Sequence, residues 1–141
     1  MAQDRLITVG TRDYTPDEVL SYARVQTRGE PRPEREYEEY KVWMDSQRYQ
    51  LFKRSCVCVS CGLVGTVMLL QQNPGEERAH FNLYGRKGGT LVMFTKDHIV
   101  PKSQGGANNL NNYQTMCFPC NKKKAATPDP KAKGERRKTS K

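Results

Sequence analysis

"TKDHIVPKSQGG", residues 95–106, decides how the rest of the chain is read. An acid stands directly before a histidine, proline follows, and a double glycine closes the stretch. A core histidine needs no neighbouring carboxylate, and a turn needs no histidine. The segment therefore reads as the end of a strand that delivers two chemically able side chains to a shaped loop. On an extended strand Asp97 and His98 face opposite ways.

Working outward, five cysteines stand at 56, 58, 61, 117 and 120. Cys58-x-x-Cys61 and Cys117-x-x-Cys120 can supply four thiolates to a tetrahedral zinc, and Gly62 allows the tight turn such a knuckle needs. A thioredoxin-like reading is weaker because the chain lacks a βαβ context. Cys56 is left over. It could stand in for Cys58, but the paired two-residue spacing favours Cys58. The apolar residues make up only 35% of the chain, so the core is small and a zinc clamp would add folding free energy directly.

The 141 residues carry a net charge of +9. Residues 122–141 hold nine Lys/Arg against two acids and lack every large apolar side chain, so 128–141 is expected to be a disordered basic tail suited to a polyanion. No stretch is apolar for long enough to span a membrane, and no secretory leader is evident, which predicts a soluble, cytoplasmic protein.

Before the cysteines, residues 1–54 read as a mainly helical extension. "RLITV" is a short strand or arm. "YTPDEVLSYARVQTRG" predicts a helix with Thr15 as N-cap, Pro16 in the first turn, Glu18 closing a capping box and Gly29 as the stop. A second helix is expected from about Glu34 to about Lys53, with Tyr37, Tyr40, Met44, Tyr49 and Phe52 as its apolar residues. Its acidic start and basic end would suit the helix dipole. From 55 to 127 the texture changes. "LVGTVMLLQQ" and "GTLVMFTKDHIV" read as two strands joined by a loop holding His80, taken as a surface residue. Leu110, Tyr113 and Met116 are spaced to face inward, and "FPCNKKKAAT" reads as a short helix ending at Thr127-Pro128. Together these give an α+β chain with a ββα unit.

The run Asp97-His98-Ile99-Val100-Pro101, Ser103, Gly105-Gly106, Asn112, Cys117-x-x-Cys120-Asn121 and Lys124 resembles the HNH endonucleases. These are ββα-metal nucleases, here in a zinc-bracketed four-cysteine form and the H-N-N variant. The resemblance covers about residues 56–126. It implies metal-dependent hydrolysis of DNA phosphodiesters, leaving 3′-hydroxyl and 5′-phosphate ends. His98 would be the general base, and Asp97 and Asn121 would hold Mg²⁺ or Mn²⁺, which suits oxygen donors. Asn112 would brace the loop, with Asn109 and Asn111 close enough to compete for that place. Zn²⁺ would sit on Cys58, Cys61, Cys117 and Cys120. Lys102, Lys122, Lys123 and Lys124 would contact phosphates without reading sequence.

One such unit cuts one strand, so double-strand cutting needs a homodimer or two nicks. Docking to a larger assembly is a further option. Similar nucleases act in viral DNA packaging, intron homing and restriction, and the sequence leaves these open. The rival class is a non-catalytic zinc-containing nucleic-acid-binding module. That framework would need the cysteines and glycines but not Asp97, His98, Asn112 and Asn121 together.

Overall fold

The computed structural model describes residues 5–126; the expected basic tail, the Thr127-Pro128 helix stop and residues 1–4 lie outside the described residues. The described residues form two sheets, and the larger is antiparallel, with its last four strands in sequence order. It contains β1 (Ile7–Thr8), β4 (Gly65–Gln72), β5 (His80–Lys87), β6 (Thr90–His98) and β7 (Tyr113–Cys117) in the order β1-β4-β5-β6-β7. β2 (Glu34–Tyr37) and β3 (Tyr40–Trp43) form a separate hairpin. Among the described residues there are three α-helices: α1 (Pro16–Leu20), α2 (Gln47–Arg54) and α3 (Phe118–Ala126).

The start of α1 follows the sequence. Thr15 accepts from the Glu18 backbone N–H at 3.2 Å, and the Glu18 carboxylate accepts from the Thr15 N–H at 2.8 Å, a complete capping box. The helix stops at Leu20 rather than running to Gly29. Beyond it, the Arg24 N–H turns to the Met44 carbonyl at 3.0 Å, so the chain is captured by the hairpin. Gly29 instead serves a turn at φ 86°.

The long second helix expected over 34–53 is not formed. Residues 34–43 are the β2–β3 hairpin, and only Gln47–Arg54 is helical. The turn residues Glu38 and Glu39 have φ of 51° and 79°, a left-handed pair that twists with the strands. Non-glycine residues resist that conformation, and the Glu38 carboxylate shows what holds it. It accepts from the Thr11 N–H at 2.9 Å, the Thr11 hydroxyl at 2.7 Å and the Tyr14 hydroxyl at 2.6 Å. Of the apolar residues assigned to that helix, Tyr37, Met44, Tyr49 and Phe52 are indeed buried, although the first two are buried from strand and loop. The basic end survives in α2, whose last turn carries Lys53 and Arg54.

The supposed loop around His80 is β5, a central strand. Phe81, Asn82 and Leu83 are all buried in succession, so it lacks the in–out alternation that marks a strand in sequence. Asn82 is satisfied by Gln71 Oε1 at 2.7 Å, which also accepts from the Tyr84 hydroxyl at 2.9 Å. Phe81 meets Tyr14 and Tyr37 edge to face, with centroids 5.0 and 4.8 Å apart. The Phe81 N–H donates to the Tyr49 hydroxyl at 2.8 Å, which seats α2 on the sheet. Elements from both halves of the chain thus share one apolar core.

β6 positions the site. Its first residues, Thr90–Met93, pair with β5, and its last, Phe94–His98, pair with β7. The strand changes partners midway, so Asp97 and His98 lie on the segment paired with β7. The ββα unit is therefore β6, β7 and α3, and not the "LVGTVMLLQQ" and "GTLVMFTKDHIV" strands with the helix.

Candidate active site and metal centre

The cysteines converge from two ends. Cys58 and Cys61 lie on a knuckle between α2 and β4, closed by Cys58 N–H to Leu63 O at 2.8 Å and Gly62 N–H to Cys58 O at 3.0 Å. Gly62 turns at φ 81°, where a side chain would be strained. Cys117 ends β7 and Cys120 lies in the first turn of α3. Val59 N–H donates to Thr115 O at 3.0 Å and clips the knuckle to β7.

The four sulfurs lie within 4.8 Å of one another, and those of Cys61 and Cys117 are 3.8 Å apart. A tetrahedron with Zn–S bonds of about 2.3 Å has sulfurs separated by roughly 3.8 Å, so the donor set fits zinc in kind and in spacing. Burial pushes the Cys58 thiol up. The backbone N–H groups of Cys61, Cys117 and Ser60 outweigh it and bring the thiol down to about 6. The Cys117 thiol is pushed up by burial and the crowding sulfurs. Cys56 is outside this set, and its half-buried thiol donates to Phe52 O at 3.3 Å.

Downstream, alternation along β6 sorts the polar groups. Thr95 and Asp97 face α3. Asn121 Nδ2 donates to Thr95 Oγ1 at 2.8 Å, and Lys124 Nζ lies 2.6 Å from Asp97 Oδ2. Asp97 is only 8% exposed, and its cross-strand partner Gln114 donates to the same oxygen at 2.9 Å. The Lys124 ammonium also donates to the His98 carbonyl at 3.0 Å. A positive charge thus rests against a carboxylate and a carbonyl oxygen, donors that also suit a hard divalent ion. Lys124, expected among the phosphate contacts, is turned inward to this pair. Lys102, Lys122 and Lys123 are exposed.

Lys96 and His98 take the other face. The Lys96 ammonium lies 4.2 Å from the Tyr113 ring centre, and the His98 ring meets Tyr113 edge-on at 5.0 Å. His98 Nε2 is 2.8 Å from Asn108 Oδ1, a partner that the sequence did not single out from a run of four asparagines within six residues.

Asn112 spans the loop after His98. Its Oδ1 accepts from Val100 N–H at 2.9 Å, and its Nδ2 donates to Val100 O at 3.1 Å and Ala107 O at 2.8 Å. Its backbone carbonyl takes the Ile99 N–H at 2.8 Å. Asn109 instead caps its own turn, and Asn111 accepts from Arg54 at 3.4 Å.

The double glycine now has two causes. Gly105 turns at φ 85°, and a Cβ on Gly106 would lie 1.7 Å from the Val100 carbonyl oxygen. His80 lies at the start of β5 and is half-buried. Burial, then the Arg48 charge, lower its pKa, with Glu76 opposing.

The family model described as HNH endonuclease matches residues 83–127, the stretch that holds β6, its loop, β7 and α3. Residues 83–127 carry an HNH endonuclease domain. No curated protein and no solved structure matches the chain. The HNH match over residues 83–127 suggests a nuclease-type function and implies a nucleic-acid substrate, and the four-cysteine cluster is compatible with zinc. Among the described residues, no helix is long and apolar enough to cross a membrane.

Proposed function

We propose that this protein is a divalent-metal-dependent DNA endonuclease that uses Asp97, His98, Asn112 and Asn121. The observation that carries the reading is the split along β6. A nearly buried carboxylate rests against a cation on one face, and an imidazole with a fixed partner stands on the other.

With Asn108 Oδ1 accepting from Nε2–H, the neutral imidazole keeps its Nδ1 lone pair for a water proton. The water oxygen then bonds to phosphorus, the bond from phosphorus to the 3′ oxygen breaks, and that oxygen takes up a proton. This leaves 3′-hydroxyl and 5′-phosphate ends. Mg²⁺ or Mn²⁺ held by Asp97 and Asn121 would supply charge neutralisation at the phosphate and the leaving oxygen. Asn112 holds the loop that fixes the His98 backbone, and Lys102, Lys122 and Lys123 attract the polyanion. Zn²⁺ held by Cys58, Cys61, Cys117 and Cys120 would tie the knuckle to β7 and α3. One domain cuts one strand, and cutting both takes two copies or two events.

The Lys124–Asp97 pair favours a second reading. It satisfies the aspartate without a metal, as a non-catalytic nucleic-acid-binding module would require. Cleavage of an end-labelled duplex in Mg²⁺, in Mn²⁺ and in EDTA separates the two. The nuclease gives ligatable 5′-phosphate products that need metal and vanish in His98→Ala. A folded, zinc-loaded protein that binds the duplex and never cuts it is the binding module.

A further inference from the structure

An open groove of about 410 Å³ lies on the N-terminal elements, between the 21–24 segment, the β2–β3 hairpin and the end of α2. Its rim carries Arg24, Arg35 and Lys53, with Ala23 and Met44 buried beneath. The one acid on the rim, Glu34, is held at 2.7 Å by Arg78, which is not among the residues lining the groove. The groove is left with an excess of cations.

The walls are fixed in place. Arg24 N–H bonds to Met44 O at 3.0 Å, Met44 N–H to Pro33 O at 2.9 Å, and Lys53 Nζ to Ala23 O at 2.9 Å. A lysine ammonium has three donors, and this contact uses one. The Arg35 guanidinium lies 3.5 Å from the Tyr22 ring centre. A guanidinium over an aromatic ring keeps N–H donors that can take a phosphate. Tyr22 itself is 48% exposed.

The groove also connects to the HNH domain. Arg54, next to Lys53 in the last turn of α2, reaches Asn111 Oδ1 at 3.4 Å, one residue before the asparagine that braces the His98 loop. Cations thus run from the hairpin along the end of α2 toward the cutting site.

We propose that this groove binds the sugar–phosphate backbone of a nucleic-acid strand, holding substrate at a distance from the scissile bond. The proposal rests on the nuclease reading for the identity of its ligand. It gives the N-terminal elements a task in binding, because a small site cutting at one phosphate gains affinity from contacts made elsewhere on the strand.

The test is fluorescence anisotropy of a labelled DNA duplex with zinc-loaded protein and no added Mg²⁺ or Mn²⁺, with the full chain as wild type and Arg24→Gln/Arg35→Gln. Arg24 and Arg35 are both exposed, and glutamine keeps most of their length. The double variant is expected to bind roughly tenfold more weakly at low salt, with a log–log salt slope shallower by about 2. Equal affinity and equal slope in the folded double variant would overturn the groove assignment. So would displacement of the duplex by inorganic phosphate at matched ionic strength as efficient as displacement by unlabelled DNA, which would mark a small-anion site. A protein whose binding depends on the groove but which never cuts would keep this inference and defeat the nuclease reading. One that cuts with unchanged groove variants would do the reverse.

Discussion

The Lys124 ammonium sits 2.6 Å from Asp97 Oδ2 and 3.0 Å from the His98 carbonyl oxygen, where a divalent cation would find the same two donors. A tethered cation therefore competes with a diffusing one. Removing it in Lys124→Met should tighten Mn²⁺ binding several-fold in titration calorimetry. The same change leaves Asp97 without its ion pair and should lower stability by about 1 kcal/mol, a small figure because the lysine is partly solvated. Unchanged Mn²⁺ affinity would mean that Asp97 is not a metal ligand, or that the ammonium moves aside at no cost.

Gly106 is fixed by space. A Cβ there would lie 1.7 Å from Val100 O, so Gly106→Ala must displace the loop that Asn112 holds against His98. Cleavage should fall on the order of a hundredfold, as for a small misplacement of catalytic groups, while bound zinc stays the same. Full activity in this variant would detach the loop from the chemistry.

The zinc assignment separates Cys56 from the other four. Cys117→Ser removes a sulfur 3.8 Å from that of Cys61 and should abolish zinc retention and cooperative melting. Cys56→Ser keeps a hydrogen-bond donor toward Phe52 O and should retain one zinc per chain. Elemental analysis and thermal melts of both variants decide it. Zinc loss in Cys56→Ser alone would reverse the assignment.

His80 sets a pH dependence. Burial and the Arg48 charge hold its folded pKa below that of the unfolded chain, so the unfolded chain takes up the proton first. The stability tied to neutral His80 is complete above about pH 6.5 and is lost as pH falls through the folded value. Tm measured from about pH 8 down to pH 5 should decline less steeply for His80→Gln than for the wild type. Parallel curves would contradict this.

The cysteine knuckles and the Asp97–Pro101 loop were legible because their chemistry is local. Ligand spacing, a turn glycine and an acid–histidine pair are written within a few residues of one another. The β2–β3 hairpin was not. Tyr37, Tyr40 and Met44 have helical spacing and glutamate is a good helix former, so local pattern and propensity agreed on a helix. What overrides them is Glu38 bonded to Thr11 and Tyr14, contacts 27 and 24 residues away. β5 was hidden for a related reason, since its buried Asn82 reads as polar loop until Gln71 is placed beside it. Within the site, the sequence marked Asp97 and His98 but not Asn108 or Gln114, whose contacts depend on loop path and strand register.

A nuclease of this design needs Asp97 and His98 to work together on a phosphodiester. Nicking of supercoiled plasmid by zinc-loaded wild type in Mn²⁺, beside EDTA, Asp97→Asn and His98→Ala, tests this most directly. Open-circular DNA is expected with the wild type and Mn²⁺ alone. Nicking that persists in both variants, or supercoiled DNA left intact by folded wild type, would contradict it.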